Sequence, residues 1–379
     1  MSDVIRVLMV ISNLKSADGV ARFAMTYYSH LDHTKIHMDF AIYDSENIND
    51  EYAKQIKENH SKIFALPSVK DMHKHILYCR EFFQKRHYDI VHDNSLINTI
   101  PLMREAAKAK IPVRILHAHA SKLGETQVKA VRNSIFLPIL KKYVNCNLAC
   151  SNKAGKTVFN EHRYEIVPDV INCDKYKFDV NVRDQIRAQE QCESKYIIGT
   201  VARIAYPKNP IFALEVMTQV LKHNRDIEYW WVGDGNIGLE EKLKKQIKKS
   251  GLENNIRFMG SRMDVSDLYQ AMDMFFLPSK FEGFGLSCLE AETSGLPCVV
   301  SAAFIKELNI TGNVQYISLN SSPEKWARTI ECIRTRGEID HPKRIESYRL
   351  VKQSIYSMEN ASRTLANYYH QMLTLNGEN

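Results

Sequence analysis

Short runs of β-branched and aromatic residues alternate with longer amphipathic stretches along most of this chain. Near-continuous apolar runs indicate strands buried on both faces, and apolar residues three or four positions apart indicate helices with one buried face. In the first half, the predicted strands are 5–11, 38–43, 62–66, 90–92, 113–117 and 147–150. The predicted helices between them are 20–31, 72–85, 98–109 and 127–143. This alternation predicts an α/β fold, with a parallel sheet covered by helices.

The second half repeats the alternation after a polar interruption. Its predicted strands are 196–201, 227–232, 256–259, 274–277 and 298–301, and its predicted helices are 210–223, 239–250, 265–271 and 286–294. We therefore expect a Rossmann-like domain over 1–172, a linker over 173–194, a second Rossmann-like domain over 195–360 and a C-terminal helix over 361–379. That helix could pack on either domain, including back on the first. We expect the two domains to face each other across a cleft, with ligands at the carboxyl ends of the strands.

Composition narrows the function classes without choosing one. The chain has 379 residues, of which 44% are hydrophobic and 25% charged, as in soluble globular proteins of more than one domain. The sequence contains neither a signal-peptide pattern nor an apolar run of the ~18 residues that a membrane span needs, so we expect a cytoplasmic protein. Its eight cysteines form no Cys-x-x-Cys pair, which favours reduced thiols over a zinc site. The net charge of +7 is compatible with nucleic acid, an anionic membrane surface or a phosphorylated substrate.

The segment 278–291 has the most informative chemistry. A hydrophobic strand ends at Pro278, a loop containing Gly283 and Gly285 follows, and a helix then begins. Such a turn presents backbone N–H groups and the positive end of a helix to an anion. Glu282 in the loop and Glu290 in the helix could accept hydrogen bonds from hydroxyl groups beside that anion. The segment therefore favours a site for a phosphorylated sugar, although two solvated glutamates would give the same spacing.

Two cations occupy another loop that follows a predicted strand. Arg203 follows the strand 196–201, and Lys208 lies at the entrance to the next helix. Together they could hold a diphosphate and stabilise a departing nucleotide, whereas an ordinary polar loop would leave both solvated. Further on, Gly233 and Gly235 flank Asp234 after the strand 227–232, which by itself indicates only a tight turn.

The spacing of Glu282 and Glu290 resembles the Glu-x7-Glu motif of retaining GT-B glycosyltransferases, especially glycosyltransferase family 4, also called glycosyl transferases group 1. The blocks Glu-Gly-Phe-Gly-Leu-Ser-Cys-Leu-Glu-Ala at 282–291 and Gly-Leu-Pro-Cys-Val at 295–299 resemble this family as well. The resemblance covers most of the second half and, more weakly, the first. It implies that Glu282 contacts the donor sugar and Glu290 the nucleotide ribose. It further implies that the diphosphate is held by the backbone amides of Gly285, Leu286 and Ser287.

The same resemblance assigns roles to residues that spacing alone leaves open. It implies that Arg203 and Lys208 contact the diphosphate, and that Gly233 lines the nucleotide site. Arg262 and Met263 follow the strand 256–259, where similar enzymes meet the nucleotide base. The other main glycosyltransferase fold uses an Asp-x-Asp motif to hold a divalent ion. That motif is absent here, so we expect catalysis without a metal.

In the first half, the loop 12–21 resembles the family's Gly-Gly-Val loop, which lies near the donor phosphates and the acceptor. Asp18 replaces the first glycine, which disfavours a tight phosphate approach, while Gly19 remains. A Gly-x-Gly-x-x-Gly pattern is missing, which argues against nicotinamide binding. His117 and His119 follow the strand 113–116 and share one face of the extended chain. Both could be structural, but similar enzymes use a histidine here on the transferred sugar, and we favour His119 with His117 as the alternative.

The segment 122–143 combines positive charge with apolar residues. Its cations are Lys129, Arg132, Lys141 and Lys142, and its apolar residues include Ile135, Phe136, Leu137, Ile139 and Leu140. This pattern is typical of a helix that lies on an anionic membrane surface. It is also typical of a helix whose apolar face is buried in the core and whose cations are solvated. Lipid-linked acceptors are common among similar enzymes, which favours the membrane interpretation.

The sequence thus predicts a hexosyl- or N-acetylhexosaminyl-transferase of cell-surface polysaccharide biosynthesis, such as capsule or exopolysaccharide. We expect a nucleotide-sugar donor, with UDP as the nucleotide, and a glycan or polyprenyl-diphosphate-linked sugar as acceptor. Nucleic acid is not an expected partner, because it explains the charge but none of the motifs. A nucleotide-sugar epimerase on the same fold and a non-catalytic partner subunit are the alternatives. The presence of both carboxylates and both cations argues against the second.

Overall fold

The computed structural model describes residues 4–15, 18–46, 48–119, 123–124, 126–235, 237–337 and 341–377. The chain divides into two compact units. One contains Met1–Val170 together with Met358–Asn379, and the other contains Ile171–Ser357. Each unit is a parallel sheet with helices, as the alternation of apolar patterns predicted.

The first unit is built on a seven-stranded sheet with strand order β3-β2-β1-β4-β5-β6-β7. Its strands are β1 (Ile5–Asn13), β2 (Ile36–Asp44), β3 (Ile63–Ala65), β4 (Ile90–Asp93), β5 (Val113–Ala118), β6 (Cys146–Ala149) and β7 (Glu165–Ile166). Its helices are α1 (Gly19–Tyr28), α2 (Asp50–Glu58), α3 (Met72–Lys85), α4 (Ile100–Lys108), α5 (Gln127–Lys141) and α6 (Asn152–Phe159). The central β1 pairs in parallel with β2 and β4, so that Ile5 lies opposite Ile36 and Val7 opposite Ile90. All strands and helices predicted for this half are present.

The second unit contains a six-stranded sheet with strand order β10-β9-β8-β11-β12-β13. Its strands are β8 (Tyr196–Val201), β9 (Ile227–Val232), β10 (Ile256–Gly260), β11 (Met274–Leu277), β12 (Cys298–Ser301) and β13 (Val314–Ile317). Its helices are α7 (Val180–Gln189), α8 (Pro210–His223), α9 (Ile237–Lys249), α10 (Val265–Ala271), α11 (Leu286–Thr293), α12 (Pro323–Arg334) and α13 (His341–Gln353). Because β8, β9 and β11 are central, the loops after them meet at one edge of the sheet.

The C-terminal helix α14 (Met358–Gly377) packs into the core of the first unit. Leu365 and Tyr369 are fully buried there, in the same cluster as Met9 and Tyr27. The first unit therefore needs both ends of the chain to complete its hydrophobic core.

The linker expected at 173–194 is wrong as a structural description. This segment contains a short 3₁₀ helix (Cys173–Tyr176) and α7, and both belong to the second unit. The segment is polar because α7 buries arginines as well as Ile186. Nη1 of Arg183 lies 3.0 Å from the backbone oxygens of Gln270, Ala271 and Met272 at the end of α10, and Arg183 and Arg187 both pair with Asp273 at 2.5 Å. A buried face made of arginines leaves too weak an apolar period for sequence patterns to detect.

Candidate active site

The loop between β11 and α11 holds a glycine that no other residue could replace without strain. Gly285 precedes the first residue of α11 with φ at +106° and ψ at +45°. A Cβ atom there would lie 2.6 Å from Cδ1 of Phe304 and 3.0 Å from Cδ1 of Leu308. The glycine therefore lets the chain turn sharply into the helix. The first amides of the helix, at Leu286 and Ser287, belong to the turn whose N–H groups have no partner within the helix and favour an anion.

Glu282 and Lys208 lie together although 74 positions separate them in the sequence. Nζ of Lys208 is 2.7 Å from Oε1 of Glu282, and the same carboxylate oxygen accepts a hydrogen bond of 2.6 Å from the hydroxyl of Ser279. The two loops are also joined through their backbones, since the amide of Lys280 donates to the oxygen of Pro207 at 2.7 Å. Glu282 is only 8% exposed. The fold thus brings together a carboxylate and a cation that the sequence had assigned to the donor sugar and the diphosphate.

Glu290 lies one turn into α11 and is half-buried. Its Oε2 atom is 3.1 Å from the hydroxyl of Tyr269, which is also 2.9 Å from the backbone oxygen of Ser287. The pKa of Tyr269 is raised well above its usual value by burial and then by the negative charge of Glu290. The hydroxyl consequently stays protonated and can donate to the carboxylate.

Arg203 belongs to a segment that pairs with the glycine-containing turn after β9. The amide of Ala202 donates to Val232 and the amide of Ile204 donates to Asp234, both at 2.9 Å. Because the backbones are so close, a Cβ atom on Gly233 would lie 2.5 Å from the oxygen of Ala202. This contact explains Gly233 without a ligand, so its role in the nucleotide site stays a prediction. The side chain of Arg203 is exposed at the carboxyl end of β8.

Arg262 is engaged within the protein. Its guanidinium donates to both carboxylate oxygens of Asp264, at 2.8 and 2.6 Å, and to Glu190 at the end of α7, at 3.0 Å. The hydrogen bonds to Asp264 raise the pKa of Arg262 further above its usual value. Met263, in contrast, is fully exposed. A nucleotide base would have to compete with Asp264 and Glu190 for the guanidinium of Arg262. The contact between Arg262 and the base therefore stays a prediction.

In the first unit, the aspartate that replaces the family's first loop glycine caps α1. Oδ1 of Asp18 accepts a hydrogen bond of 2.9 Å from the amide of Ala21. A helix N-terminus capped by a carboxylate is less suited to a phosphate, because one of its donors is used and a negative charge is already present. Gly19 follows at the first position of the helix, and a Cβ atom there would contact nothing within 4 Å. Neighbouring residues therefore do not require a glycine at this position.

A chain of buried hydrogen bonds assigns the protons of two histidines. Nε2 of His117 is 3.1 Å from the backbone oxygen of Val167, which can only accept, so this nitrogen carries the proton. Nδ1 of His117 then accepts from Nε2 of His92 at 3.1 Å, and Nδ1 of His92 accepts from the hydroxyl of Tyr369 at 2.7 Å. Burial lowers the pKa of His92 to about 3 and that of His117 well below its usual value. Both nitrogens of His117 are used inside the core, so the alternative assignment of a sugar contact to His117 is disfavoured.

His119 has a different environment just after the end of β5. Its Nε2 atom is 2.7 Å from Oδ1 of Asn94, which accepts, so Nδ1 is left as the acceptor nitrogen of a neutral ring. Burial lowers the pKa of His119 to about 3. Asn94 is held in turn by the backbone oxygens of Val10 and His92. Residues 120–122, which continue the chain after His119, lie outside the described ranges.

Three polar residues that the sequence patterns did not single out contact predicted site residues. They are Ser279, Tyr269 and Asn94, which contact Glu282, Glu290 and His119 respectively. Ser279 and Asn94 each follow a strand, so the rule that sites collect at strand ends could have identified them. Tyr269 lies within α10, and its apolar neighbours made it look like an ordinary core residue.

The described residues offer neither a metal cluster nor a membrane span. Among them, His, Cys, Asp and Glu side chains form no group of three or more that could hold a metal ion. No helix within the described ranges combines the length and apolar character that crossing a membrane requires.

Both the sequence and the structure of this chain are similar to those of known glycosyltransferases. Residues 182–348 match the family described as "Glycosyl transferases group 1". The chain is 24% identical over 378 residues to the putative glycosyltransferase EpsF of Bacillus subtilis, covering 96% of both chains. It is 28% identical over 258 residues to UDP-Gal:alpha-D-GlcNAc-diphosphoundecaprenol alpha-1,3-galactosyltransferase of Escherichia coli, covering 65% of this chain and 64% of the relative.

Among solved structures, Anabaena Alr3699/HepE in complex with UDP matches with a TM-score of 0.80 and 15% identity, covering 97% of this chain and 100% of that chain. The lipopolysaccharide-biosynthesis glycosyltransferase WaaG matches with a TM-score of 0.67 and 16% identity, covering 96% and 99% of the two chains. The family match lies in the unit that holds Lys208, Glu282 and Glu290, and the structural matches extend over both units. The chain is therefore a glycosyltransferase with the GT-B fold of two Rossmann-like units, and its residues 182–348 resemble the glycosyl transferases of group 1.

Proposed function

We propose that this glycosyltransferase moves a hexosyl or N-acetylhexosaminyl group from a UDP-sugar to a glycan or a polyprenyl-diphosphate-linked sugar. The reaction retains the anomeric configuration and needs no metal ion. The observation that carries the proposal is the contact of Lys208 with Glu282 at 2.7 Å, in a loop that leads directly into the glycine-capped start of α11. A cation, a carboxylate and a helix start in one place suit a sugar joined to a diphosphate.

The donor is held by the second unit in this proposal. The amides of Gly285, Leu286 and Ser287 bind the diphosphate, Glu290 accepts a hydrogen bond from the ribose, and Glu282 accepts from hydroxyls of the sugar. Lys208 and Glu282 form an ion pair within this site. A bound diphosphate competes with Glu282 for the ammonium group, so donor binding redistributes this pair.

Departure of the nucleotide is assisted by the chain's own positive groups. Lys208, the exposed Arg203 and the start of α11 offset the negative charge that grows on the leaving diphosphate. The acceptor hydroxyl attacks the same face of the sugar that the diphosphate leaves, and the departing diphosphate takes the acceptor's proton. The bond to the diphosphate oxygen breaks while a new glycosidic bond forms, so the configuration is retained without a covalent enzyme intermediate.

His119 acts as a neutral hydrogen-bond acceptor for a hydroxyl of the transferred sugar. Its proton is on Nε2, which donates to Asn94, and its pKa is lowered to about 3. A ring that stays neutral cannot offset the charge of the leaving group. Nδ1 can, however, accept from a hydroxyl and so help to orient the sugar.

The nucleotide and the acceptor are inferred from the relatives. Structures of Alr3699/HepE in complex with UDP and with UDP-glucose match this chain over 97% of its length. The Escherichia coli relative is named for a UDP-galactose donor and a diphosphoundecaprenol-linked acceptor. Relatives named for capsular and lipopolysaccharide synthesis support a role in cell-surface polysaccharides.

The proposal includes binding to the inner face of an anionic membrane through α5. The apolar side chains of this helix point to two sides. Leu137 and Leu140 are buried in the first unit, whereas other apolar residues are exposed, with exposed fractions of 80% for Val128, 59% for Val131, 62% for Ile135, 42% for Phe136 and 38% for Ile139. Four of these recur at 128, 131, 135 and 139, which is one stripe of a helix.

Cations flank that stripe. Lys129, Arg132 and Lys142 are exposed, while Lys141 is half-buried with its ammonium 5.8 Å from the ring centre of Phe159. The alternative in which the apolar residues of this helix are all buried in the core does not fit these exposures. An exposed apolar stripe with cations beside it suits the boundary between lipid headgroups and acyl chains.

A donor screen tests the proposed reaction. The protein is incubated with UDP-glucose, UDP-galactose, UDP-N-acetylglucosamine and GDP-mannose, with and without a polyprenyl-diphosphate-linked N-acetylglucosamine acceptor. We expect transfer from a UDP-sugar, a retained anomeric configuration by NMR, and full activity in a strong chelator.

Two glutamate variants test the site itself. Glu282→Gln should abolish transfer, whereas replacing Glu215, an exposed glutamate of α8, by Gln should not. An inverted product, or a chelator-sensitive reaction restored by Mg²⁺, would contradict the mechanism. An epimerised nucleotide-sugar formed without acceptor would favour the epimerase alternative.

Vesicle sedimentation tests the membrane surface. Replacing Lys129, Arg132 and Lys142 by Gln should release the protein from vesicles rich in phosphatidylglycerol, since each cation contributes roughly 1 kcal/mol of attraction near such a surface. The matched control replaces Lys245, Lys248 and Lys249 of α9 by Gln. These are also three exposed cations, but the neighbouring Leu243 and Ile247 are buried. Equal vesicle binding by the two triple variants would remove α5 from the proposal.

A further inference from the structure

Tyr269 is buried in the last turn of α10, and its hydroxyl contacts α11. Its side chain is 0% exposed, and its ring lies 5.8 Å from that of Tyr176 and 6.3 Å from that of Phe275, measured between centres. The ring is therefore fixed on two sides by aromatic neighbours, so its hydroxyl occupies a defined point.

That hydroxyl joins two atoms of α11. It lies 2.9 Å from the backbone oxygen of Ser287 and 3.1 Å from Oε2 of Glu290. Both partners are acceptors, and burial raises the pKa of Tyr269 well above its usual value, so the hydroxyl keeps its proton and donates. A single donor thus connects α10 to the first turn of α11 and to the carboxylate one turn further along.

The backbone of Tyr269 is also held by a hydrogen bond. Arg344 of α13 is 4% exposed, and its Nη2 atom donates to the backbone oxygen of Tyr269 at 3.2 Å. The same guanidinium donates through Nε to the backbone oxygen of Ser294, directly after α11, at 2.8 Å. Arg344 therefore joins the carboxyl ends of α10 and α11.

We infer that Tyr269 is a positioning residue that orients the carboxylate of Glu290 toward a hydroxyl of the nucleotide ribose. This inference rests on the proposed contact between Glu290 and the ribose. A free glutamate side chain has three rotatable torsions, and ordering it upon binding weakens affinity. A hydrogen bond from a rigid donor to Oε2 fixes the terminal torsions before the nucleotide arrives, so the carboxylate already has the direction it needs.

The inference predicts an effect restricted to one ribose hydroxyl. If Tyr269 acts through Glu290, then losing its hydroxyl matters only when the nucleotide has the hydroxyl that Glu290 binds. A purely structural role would instead weaken binding of every nucleotide that uses the amides of α11. UDP, 2′-deoxy-UDP and 3′-deoxy-UDP separate these cases, because all three share the base and the diphosphate.

Isothermal titration calorimetry with these three nucleotides is the test. Glu290→Ala first identifies the deoxy analogue whose affinity it leaves unchanged. Tyr269→Phe, which keeps the buried ring, should weaken UDP about 2- to 10-fold, the range expected for ordering one flexible side chain. It should leave the affinity for the identified analogue at the wild-type value. In the Glu290→Ala background, Tyr269→Phe should have no further effect on UDP.

Tyr229→Phe is the matched control. Tyr229 is 2% exposed in β9, and its hydroxyl is 2.8 Å from the hydroxyl of Thr200 rather than beside a carboxylate of the nucleotide site. This variant should lose comparable thermal stability without changing any of the three affinities. If Glu290→Ala binds UDP like the wild type, the ribose contact fails and the inference falls with it. If Glu290→Ala weakens UDP but Tyr269→Phe does not, or if Tyr269→Phe weakens all three nucleotides equally, the inference alone is overturned.

Discussion

Gly285 and Gly19 were both predicted to lie near the donor phosphates. From their surroundings in the structure, we expect replacement by alanine to have different effects on stability at the two positions. At Gly285, φ is +106° and a Cβ atom would lie 2.6 Å from Cδ1 of Phe304. A left-handed conformation costs a residue with a Cβ atom roughly 1–2 kcal/mol. Forcing a methyl group into a packed core costs roughly 1–3 kcal/mol more. We therefore expect Gly285→Ala to lose about 2–5 kcal/mol of unfolding free energy.

For a unit of this size, that loss corresponds to a fall in Tm of about 4–20 °C. UDP affinity should fall as well, by about 10-fold or more, because displacing the start of α11 weakens charge-assisted hydrogen bonds to the diphosphate that contribute about 1.5–3 kcal/mol each. Differential scanning calorimetry and titration with UDP measure the two effects.

Gly19→Ala is the control for the same chemical change. A Cβ atom there meets nothing within 4 Å, so the Tm should stay at or slightly above the wild-type value. Any loss of UDP affinity in this variant would then report a direct phosphate contact in the first unit. A Gly285→Ala protein with wild-type Tm and wild-type affinity would refute the argument from backbone strain and crowding.

Three further predictions concern charged and titratable groups. Lys208→Ala and Arg203→Ala should lower kcat more than they raise the KM for the donor, because both cations are proposed to act on the leaving diphosphate; a variant that raises KM alone would mark a uniform binding contact. Only Lys208→Ala should also lower stability in urea denaturation, by about 1–3 kcal/mol, since it removes a partner of the buried Glu282 whereas Arg203 is exposed. Burial lowers the pKa of His119 from 6.5 to about 3, so between these values the unfolded state binds a proton that the folded state does not, and stability falls as pH falls. His119→Gln should reduce the slope of unfolding free energy against pH, between about pH 4 and 6, by about 1.4 kcal/mol per pH unit, and an unchanged slope would show that this histidine titrates normally.

Local sequence patterns predicted most of the strands and several of the site residues of this protein. Parallel strands that are buried on both faces are nearly continuous apolar runs, which is why the predicted strands of both units are present. The helix that follows β11 was predictable because the strand stop at Pro278, the glycines and the next apolar period are all neighbours in sequence. Glu282 and Glu290 were identified for the same reason, as both lie within a few residues of that helix start.

Two of the helices that were missed, α7 and α13, have buried faces that contain polar residues. In α7 the buried face contains Arg183 and Arg187, and in α13 it contains Arg344 and Ser347. Arginine can be buried here because backbone oxygens at the end of α10 and the carboxylate of Asp273 accept its hydrogen bonds. Neither the acceptors nor their direction can be known before the sheet and its helices are assembled.

The sequence by itself therefore determined the two α/β units, the loops that follow their strands and the family's carboxylates and cations. Only the tertiary structure decided that both ring nitrogens of His117 are used in the core, by Val167 and by His92, whose other nitrogen contacts Tyr369 277 positions away in the sequence. It likewise decided that α14 completes the first unit's core. The physical reason is that strand and helix periods are set by residues a few positions apart. The hydrogen bonds and packing of a buried polar group depend on elements that meet only after folding.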